Sequence, residues 1–185
     1  VRTGRGRVFR RNEITADVLL ASACLPTMYQ AVEIDGEAYW DGGYSGNPTL
    51  TPLIRECRST DTFLVQINPV ERPRLPQTAR AIASRVNEIS FNAVLLKELR
   101  MIALLRRSVD PGSGEGARWA AMRMHRIHGD VMVDLGDSSM LNAEWAFLRM
   151  LFEEGRKAAD TFAREHGANV GHRSTFDFES LLDAD

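Results

Sequence analysis

One carboxylate in this chain stands where a carboxylate can do chemistry. In Ala38-Tyr39-Trp40-Asp41-Gly42-Gly43-Tyr44, an apolar run that reads as a strand delivers Asp41 into a turn built on two glycines. Glycine has no Cβ, so Gly42 and Gly43 admit positive φ and let another backbone or a substrate approach closely. An Asp held there is placed to accept a proton from a serine or a water as it attacks a carbonyl. With a reference pKa of about 4 it is a weak base. Burial beside Tyr39 and Trp40 would raise that value. The same residues also fit a plain Asp-Gly turn, whose carboxylate only binds turn amides. No G-x-S-x-G nucleophile elbow accompanies Asp41. Thr3-Gly4-Arg5-Gly6 holds no serine and opens a strand, and Ser45 in Gly-Tyr-Ser-Gly reads as a turn residue.

The histidines offer rival chemistry. His125 and His128, with Asp130, form a candidate metal set. The segment reads as a strand, however, and residues three apart on a strand point to opposite faces. No third ligand stands at a recognisable spacing, so the chain is read as having no metal site and no cofactor. His166 closes a long helix, where the helix dipole accounts for it. Trp40, Trp119 and Trp145 read as packing residues.

These residues need elements to position them. Arg5 to Arg10 reads as a short strand. Thr15 caps a helix running to Ala23, which Pro26 ends. Ala31 to Ile34 and Glu37 to Trp40 flank Asp35-Gly36, a pair that favours a two-residue hairpin turn. Leu50 to Cys57 reads as a short helix. Thr62 to Ile67 is almost continuously apolar, as a buried strand of a parallel sheet is. Beyond Pro76 the character changes. Ile82, Val86, Ile89, Ala93 and Leu96, then Leu99 and Ala103, mark the inner face of one long helix that ends before Asp110-Pro111-Gly112. A polar loop from Asp110 to Gly116 precedes one or two short strands between Met124 and Leu135. A second long helix runs from about Ala143 to His166, with Trp145, Leu148, Phe152, Gly155, Ala159 and Phe162 on one face. Asn142 is its expected N-cap and Gly167 its stop. A short helix near Phe176 to Leu182 closes the chain.

Composition excludes several classes. A net charge of −2 over 185 residues gives no global reason to expect nucleic acid as a partner. No apolar run reaches the roughly 18 residues of a transmembrane helix. Cys24 and Cys57 read as two buried free thiols. Between Lys97 and Arg126 seven basic residues stand against three acidic ones. That is either a solvated helix face or a surface for anionic lipid. The first residue is Val1 and no leader pattern follows it, so residues preceding it are expected.

The order of motifs carries more than any one of them. Ala21-Ser22-Ala23-Cys24-Leu25-Pro26, then Val32 to Pro48 around Asp41-Gly42-Gly43, then Val65-Gln66-Ile67-Asn68-Pro69, resembles the second half of a bacterial patatin-like phospholipase domain. Arg85-Val86-Asn87-Glu88-Ile89-Ser90-Phe91-Asn92 resembles the helical extension that follows this domain in some bacterial members. The resemblance implies an α/β fold: part of a patatin-like three-layer sandwich with a mainly parallel sheet in residues 1–72, then a mostly α-helical extension in residues 73–185. It implies a lipid acyl hydrolase that cleaves fatty-acyl esters with a Ser-Asp dyad and no metal. Asp41 matches the dyad Asp, and Gly42 and Gly43 complete its motif. The serine belongs to a part of the domain that precedes these residues, so the 185 residues alone are expected to be inactive. A lipid substrate and contact with a peripheral membrane surface follow from the same resemblance, as does a bacterial-type location in the cytoplasm or at the membrane. The other readings are a non-catalytic patatin-fold protein and a membrane- or partner-binding module.

Overall fold

The computed structural model describes residues 1–108, 114–129, 131–135, 139 and 142–181. Helix α1 is Ala16–Ser22, and the Thr15 side chain accepts from Val18 N at 3.3 Å as its cap. Strands β1 (Val32–Ile34) and β2 (Glu37–Tyr39) form an antiparallel hairpin. Asp35 and Gly36 both take positive φ, 52° and 79°. A two-residue turn with this twist demands that conformation. Helix α2 (Thr51–Glu56) leads into β3 (Asp61–Gln66). Helix α3 (Ala79–Ser108) and α4 (Gly114–Ala120) then cross over to β4 (Arg123–His128). β4 lies parallel to β3, with Asp61 opposite Arg123 and Phe63 opposite His125. Parallel neighbours require such a crossover, and here it is helical. A one-turn helix α5 (Val131–Asp134) and the long α6 (Trp145–His166) complete the regular elements, with short 3₁₀ turns at Gly167–Asn169 and Glu179–Leu181. The chain is thus α/β, with one small parallel sheet and one hairpin.

The core lies between the inner face of β3 and β4 and helices α2, α3 and α4. Leu50, Ile54, Leu64, Leu95, Leu99, Ile102, Trp119, Met122 and Met124 pack there, and Phe178 closes it from the C-terminal segment. That segment follows β4: the amides of Thr175 and Phe176 both donate to Met124 O, and Ser174 Oγ accepts from Met124 N at 2.8 Å. The strand β4, from the part read as a helical extension, therefore completes the sheet begun by β3.

Several expectations are corrected. Arg5 to Arg10 is not a strand. Side-chain pairs hold it instead, Arg7 to Glu13 at 2.6 Å and Arg10 to Glu56 at 2.7 Å. β3 is buried on one face only. Leu64 points into the core, while Val65 is 65% exposed on the other face. The composition suits a strand covered on both faces, and the described residues supply cover for one. In α3 the expected Leu99 and Ala103 are buried, but the rest of the buried stripe is Glu88, Asn92, Leu95 and Ile102, which turns it about a quarter-turn from the expected one. Ile82, Val86 and Ile89 are exposed. α6 begins at Trp145 with Glu144 as its N-cap, and Asn142 Oδ1 accepts from Glu144 N one step earlier. Its expected inner face is largely turned outward: Trp145 is 76% and Phe152 61% exposed, and Phe162 alone of that set is buried. Residues 131–134, within the stretch read as strand, are helical. Cys24 is buried but Cys57 is exposed, and both thiols are free. The loop expected from Asp110 to Gly116 gives way to helix at its end, where α4 begins at Gly114; its residues 110–113, with Asp130 and Leu182, lie outside the described residues.

The basic stretch from Lys97 to Arg126 is spent largely on internal bonds. Arg106 donates to Met122 O, Arg118 to Arg55 O and Cys57 O, and Arg123 to Asp61. Guanidinium groups here satisfy carbonyls at the ends of helices and strands, a use that charge counting does not distinguish from a solvated face.

Candidate active site

Strand β2 ends one residue before Trp40, and the chain then turns at Asp41. The Asp41 amide donates to Cys24 O at 2.9 Å, tying the turn to the end of α1. Asp41 N-caps a 3₁₀ turn over Gly42–Tyr44, its Oδ1 accepting from Gly43 N at 2.7 Å. Asp41 is half-buried, and Oδ2 has no partner among the described residues. Trp40, expected to shield the carboxylate, is 42% exposed.

Neither glycine of the pair takes positive φ, and Gly43 alone serves a close approach. The glycines with positive φ among the described residues are Gly4, Gly36 and Gly171. A Cβ on Gly43 would sit 3.1 Å from Asp41 Oδ1 and 3.7 Å from the Phe91 ring, so a side chain there presses on the carboxylate. A Cβ on Gly42 would meet open space. Ser45 closes the turn, its amide donating to Gly42 O at 2.9 Å and its hydroxyl to Gly4 O at 3.4 Å. The Thr3-to-Gly6 segment thus lies against the turn as a neighbour. Ser45 Oγ is engaged away from Asp41.

Helix α3 supports the turn from below. Tyr44 meets Phe91 edge-on, with ring centroids 5.5 Å apart. Asn92 Nδ2 donates to Pro69 O at 3.1 Å. One turn earlier, buried Glu88 accepts from Arg72 Nε at 3.2 Å and Arg85 Nη1 at 3.1 Å. Burial pushes the Glu88 carboxyl up, but the hydrogen bonds from Arg72 and then Arg85 outweigh it, so its pKa falls below the ordinary value. Arg72 also donates to Val133 O and Leu135 O, and Arg85 to Val70 O at 2.8 Å. Glu98 accepts from Leu50 N and Thr51 Oγ1 at the start of α2. The Arg85-to-Asn92 segment, quoted from sequence for its resemblance, thus holds both the turn and the strand exit. Its contacts with Asp41's neighbours were not legible, because they join residues some 50 positions apart.

A second polar cluster lies at the start of the sheet. Asp61 accepts from Arg123 Nε at 3.0 Å and Nη2 at 2.6 Å, from His125 Nε2 at 3.0 Å and from Gly171 N at 2.9 Å. The Arg123 hydrogen bonds hold its carboxyl well below the usual range. Burial opposes them, and His125 and the Gly171 amide add to them. His125 Nδ1 faces Thr175 Oγ1 at 3.0 Å. Thr175, His125 and Asp61 thus form a hydroxyl–imidazole–carboxylate chain. The His125 ring, however, is 0% exposed, between Phe63 and Phe162. A ring so enclosed exchanges no proton with a substrate, and the chain acts as a strut joining β3, β4 and the C-terminal segment. The strand reading of the histidines holds: His125 is buried and His128 exposed. Sequence reasoning missed Asp61 because its partners come from strand register.

Residues 2–54 match a protein-family model. It is that of the patatin-like phospholipases. The matched segment holds α1, the hairpin, Asp41-Gly42-Gly43 and most of α2, and it is less than a third of the chain. The patatin-like match stops short of β3, so Val65 to Pro69 and everything after lies outside it. No curated protein and no solved structure matches the chain. No helix among the described residues is long and apolar enough to cross a membrane.

Proposed function

We propose that this chain is the aspartate-bearing part of a lipid acyl hydrolase, which cleaves fatty-acyl esters of phospholipids or similar lipids by a Ser-Asp dyad. Asp41 is the dyad carboxylate. One observation carries the reading: the patatin-like match spans a turn in which one oxygen of Asp41 is fixed by Gly43 N while the other has no partner among the described residues. Fixing Oδ1 orients the carboxylate, and Oδ2 is left to take a proton.

The chemistry runs in two steps. A serine hydroxyl attacks the ester carbonyl while its proton passes to Asp41 Oδ2. The tetrahedral adduct collapses, the proton returns to the departing alcohol, and an acyl-serine remains. Water, giving a proton to the same carboxylate, attacks the acyl carbonyl, the acyl–serine bond breaks to release the fatty acid, and the proton passes from Asp41 to the departing serine oxygen. Among the described residues no hydroxyl hydrogen-bonds to Asp41; on this reading, by the likeness to patatin-like phospholipases, the serine and its oxyanion donors are taken from residues outside these 185. The same residues would supply the layer that covers the exposed face of β3 in a three-layer sandwich.

The test is ester turnover by the full-length protein. Asp41→Asn keeps the shape of the side chain and the acceptor for Gly43 N but removes the base. The expected loss in p-nitrophenyl ester hydrolysis is about 10²- to 10⁴-fold. Turnover within a factor of a few of wild type would remove Asp41 from the mechanism.

A further inference from the structure

A cavity of about 570 Å³ opens between the segment after β3 and the first turns of α3, and its wall is cationic. Arg72, Arg74, Arg80 and Arg85 line it, with Glu88 as the single carboxylate among the lining residues whose side chains are described. The four guanidiniums fall into two kinds. Arg72 and Arg85 are locked against Glu88 and backbone carbonyls. Arg74 and Arg80 are exposed and have no hydrogen-bond or ion-pair partner among the described residues. Glu88 is occupied by the locked pair and makes no bond to the other two. A guanidinium without a partner offers a phosphate group a bidentate fork, and two such groups line this one cavity.

Leu75 also lines the cavity and is 83% exposed. An apolar side chain held in water next to unpaired arginines suits a ligand with an anionic head and an apolar body.

We propose that this cavity binds the phosphate of an anionic phospholipid, with Arg74 and Arg80 on the head group and Leu75 against the acyl region. The proposal deepens the acyl-hydrolase reading by naming the head-group chemistry, and it rests on that reading only for the lipid as the source of the phosphate.

The experiment reads binding, not turnover, so its failure and that of the hydrolase reading are separable. Full-length protein carrying Asp41→Asn, which leaves the lipid intact, is co-sedimented with vesicles of phosphatidylcholine containing phosphatidic acid, and with phosphatidylcholine alone. Each arginine near an anionic surface is expected to contribute about fivefold, so Arg74→Gln with Arg80→Gln should weaken binding to the acidic vesicles roughly 25-fold. Both side chains are exposed, and far-UV circular dichroism is expected to be unchanged. Equal binding by the double variant and the parent would overturn the proposal. Leu75→Ser separates the sources of phosphate. It should weaken vesicle binding and leave stabilisation by inorganic phosphate, read by thermal shift, as it was. Vesicle binding untouched by Leu75→Ser would overturn the lipid assignment.

Discussion

Glu88→Gln removes the one carboxylate that joins α3 to the segment leaving β3, and its cost can be worked from the geometry. The Glu88 side chain is 7% exposed, and those of Arg72 and Arg85 are 21% and 24% exposed. Breaking a buried ion pair from one side costs about 3–5 kcal/mol when the remaining charge is stranded. Here the stranded arginines keep some water and retain carbonyl acceptors at Val70, Val133 and Leu135. Glutamine keeps one acceptor oxygen. The cost therefore falls to about 2–3 kcal/mol, near that of one charged hydrogen bond. For a chain of this size that lowers the melting temperature by about 4–12 °C. Scanning calorimetry of the full-length protein measures it, with denaturant unfolding at unchanged slope as the control. A fall of less than about 2 °C would refute the reasoning, because it would mean that the ion triad is no better than water for either arginine.

Other consequences follow from the same contacts. Because the folded Asp61 carboxyl is held below its ordinary value, its contribution to stability is present above the unfolded value of about 4 and is lost as pH falls from there toward the folded value. Melting temperatures through the acid range should drop in the native protein and drop less steeply in Asp61→Asn, and parallel curves would count against the Arg123 and His125 contacts. Gly43→Ala places a methyl against Asp41 Oδ1 and should lower ester turnover about 10- to 100-fold with little change in circular dichroism. Full activity in that variant would mean that the carboxylate position does not matter.

The sequence was most legible where local chemistry decides the backbone. Thr15 ahead of an apolar turn marked the start of α1, and Asp35-Gly36 marked the hairpin, because each solves a problem of its immediate neighbours. It was least legible where two apolar stripes compete for the core. In α3, Ile82, Val86 and Ile89 continue the stripe of Leu99 and Ala103 as regularly as Leu95 and Ile102 do, and only the position of the sheet selects the second set. The same holds for α6, whose most apolar stripe faces outward. The turn at Asp41 was visible as a motif, but Gly43 serves a close approach to Phe91 and the carboxylate, and neither glycine takes the positive φ that their type suggests. Asp61, Arg123 and His125 were invisible as a set, since parallel register brings together residues some 60 apart.

The central claim is that Asp41 activates a serine. The most direct measurement is the rate at which a fluorophosphonate probe labels that serine in the full-length protein, with Asp41 and with Asp41→Asn. The account expects rapid labelling of one serine in the native protein and a loss of about 10²-fold or more in the variant, both remaining folded. Equal labelling rates, or no labelled serine in the native protein, would contradict it.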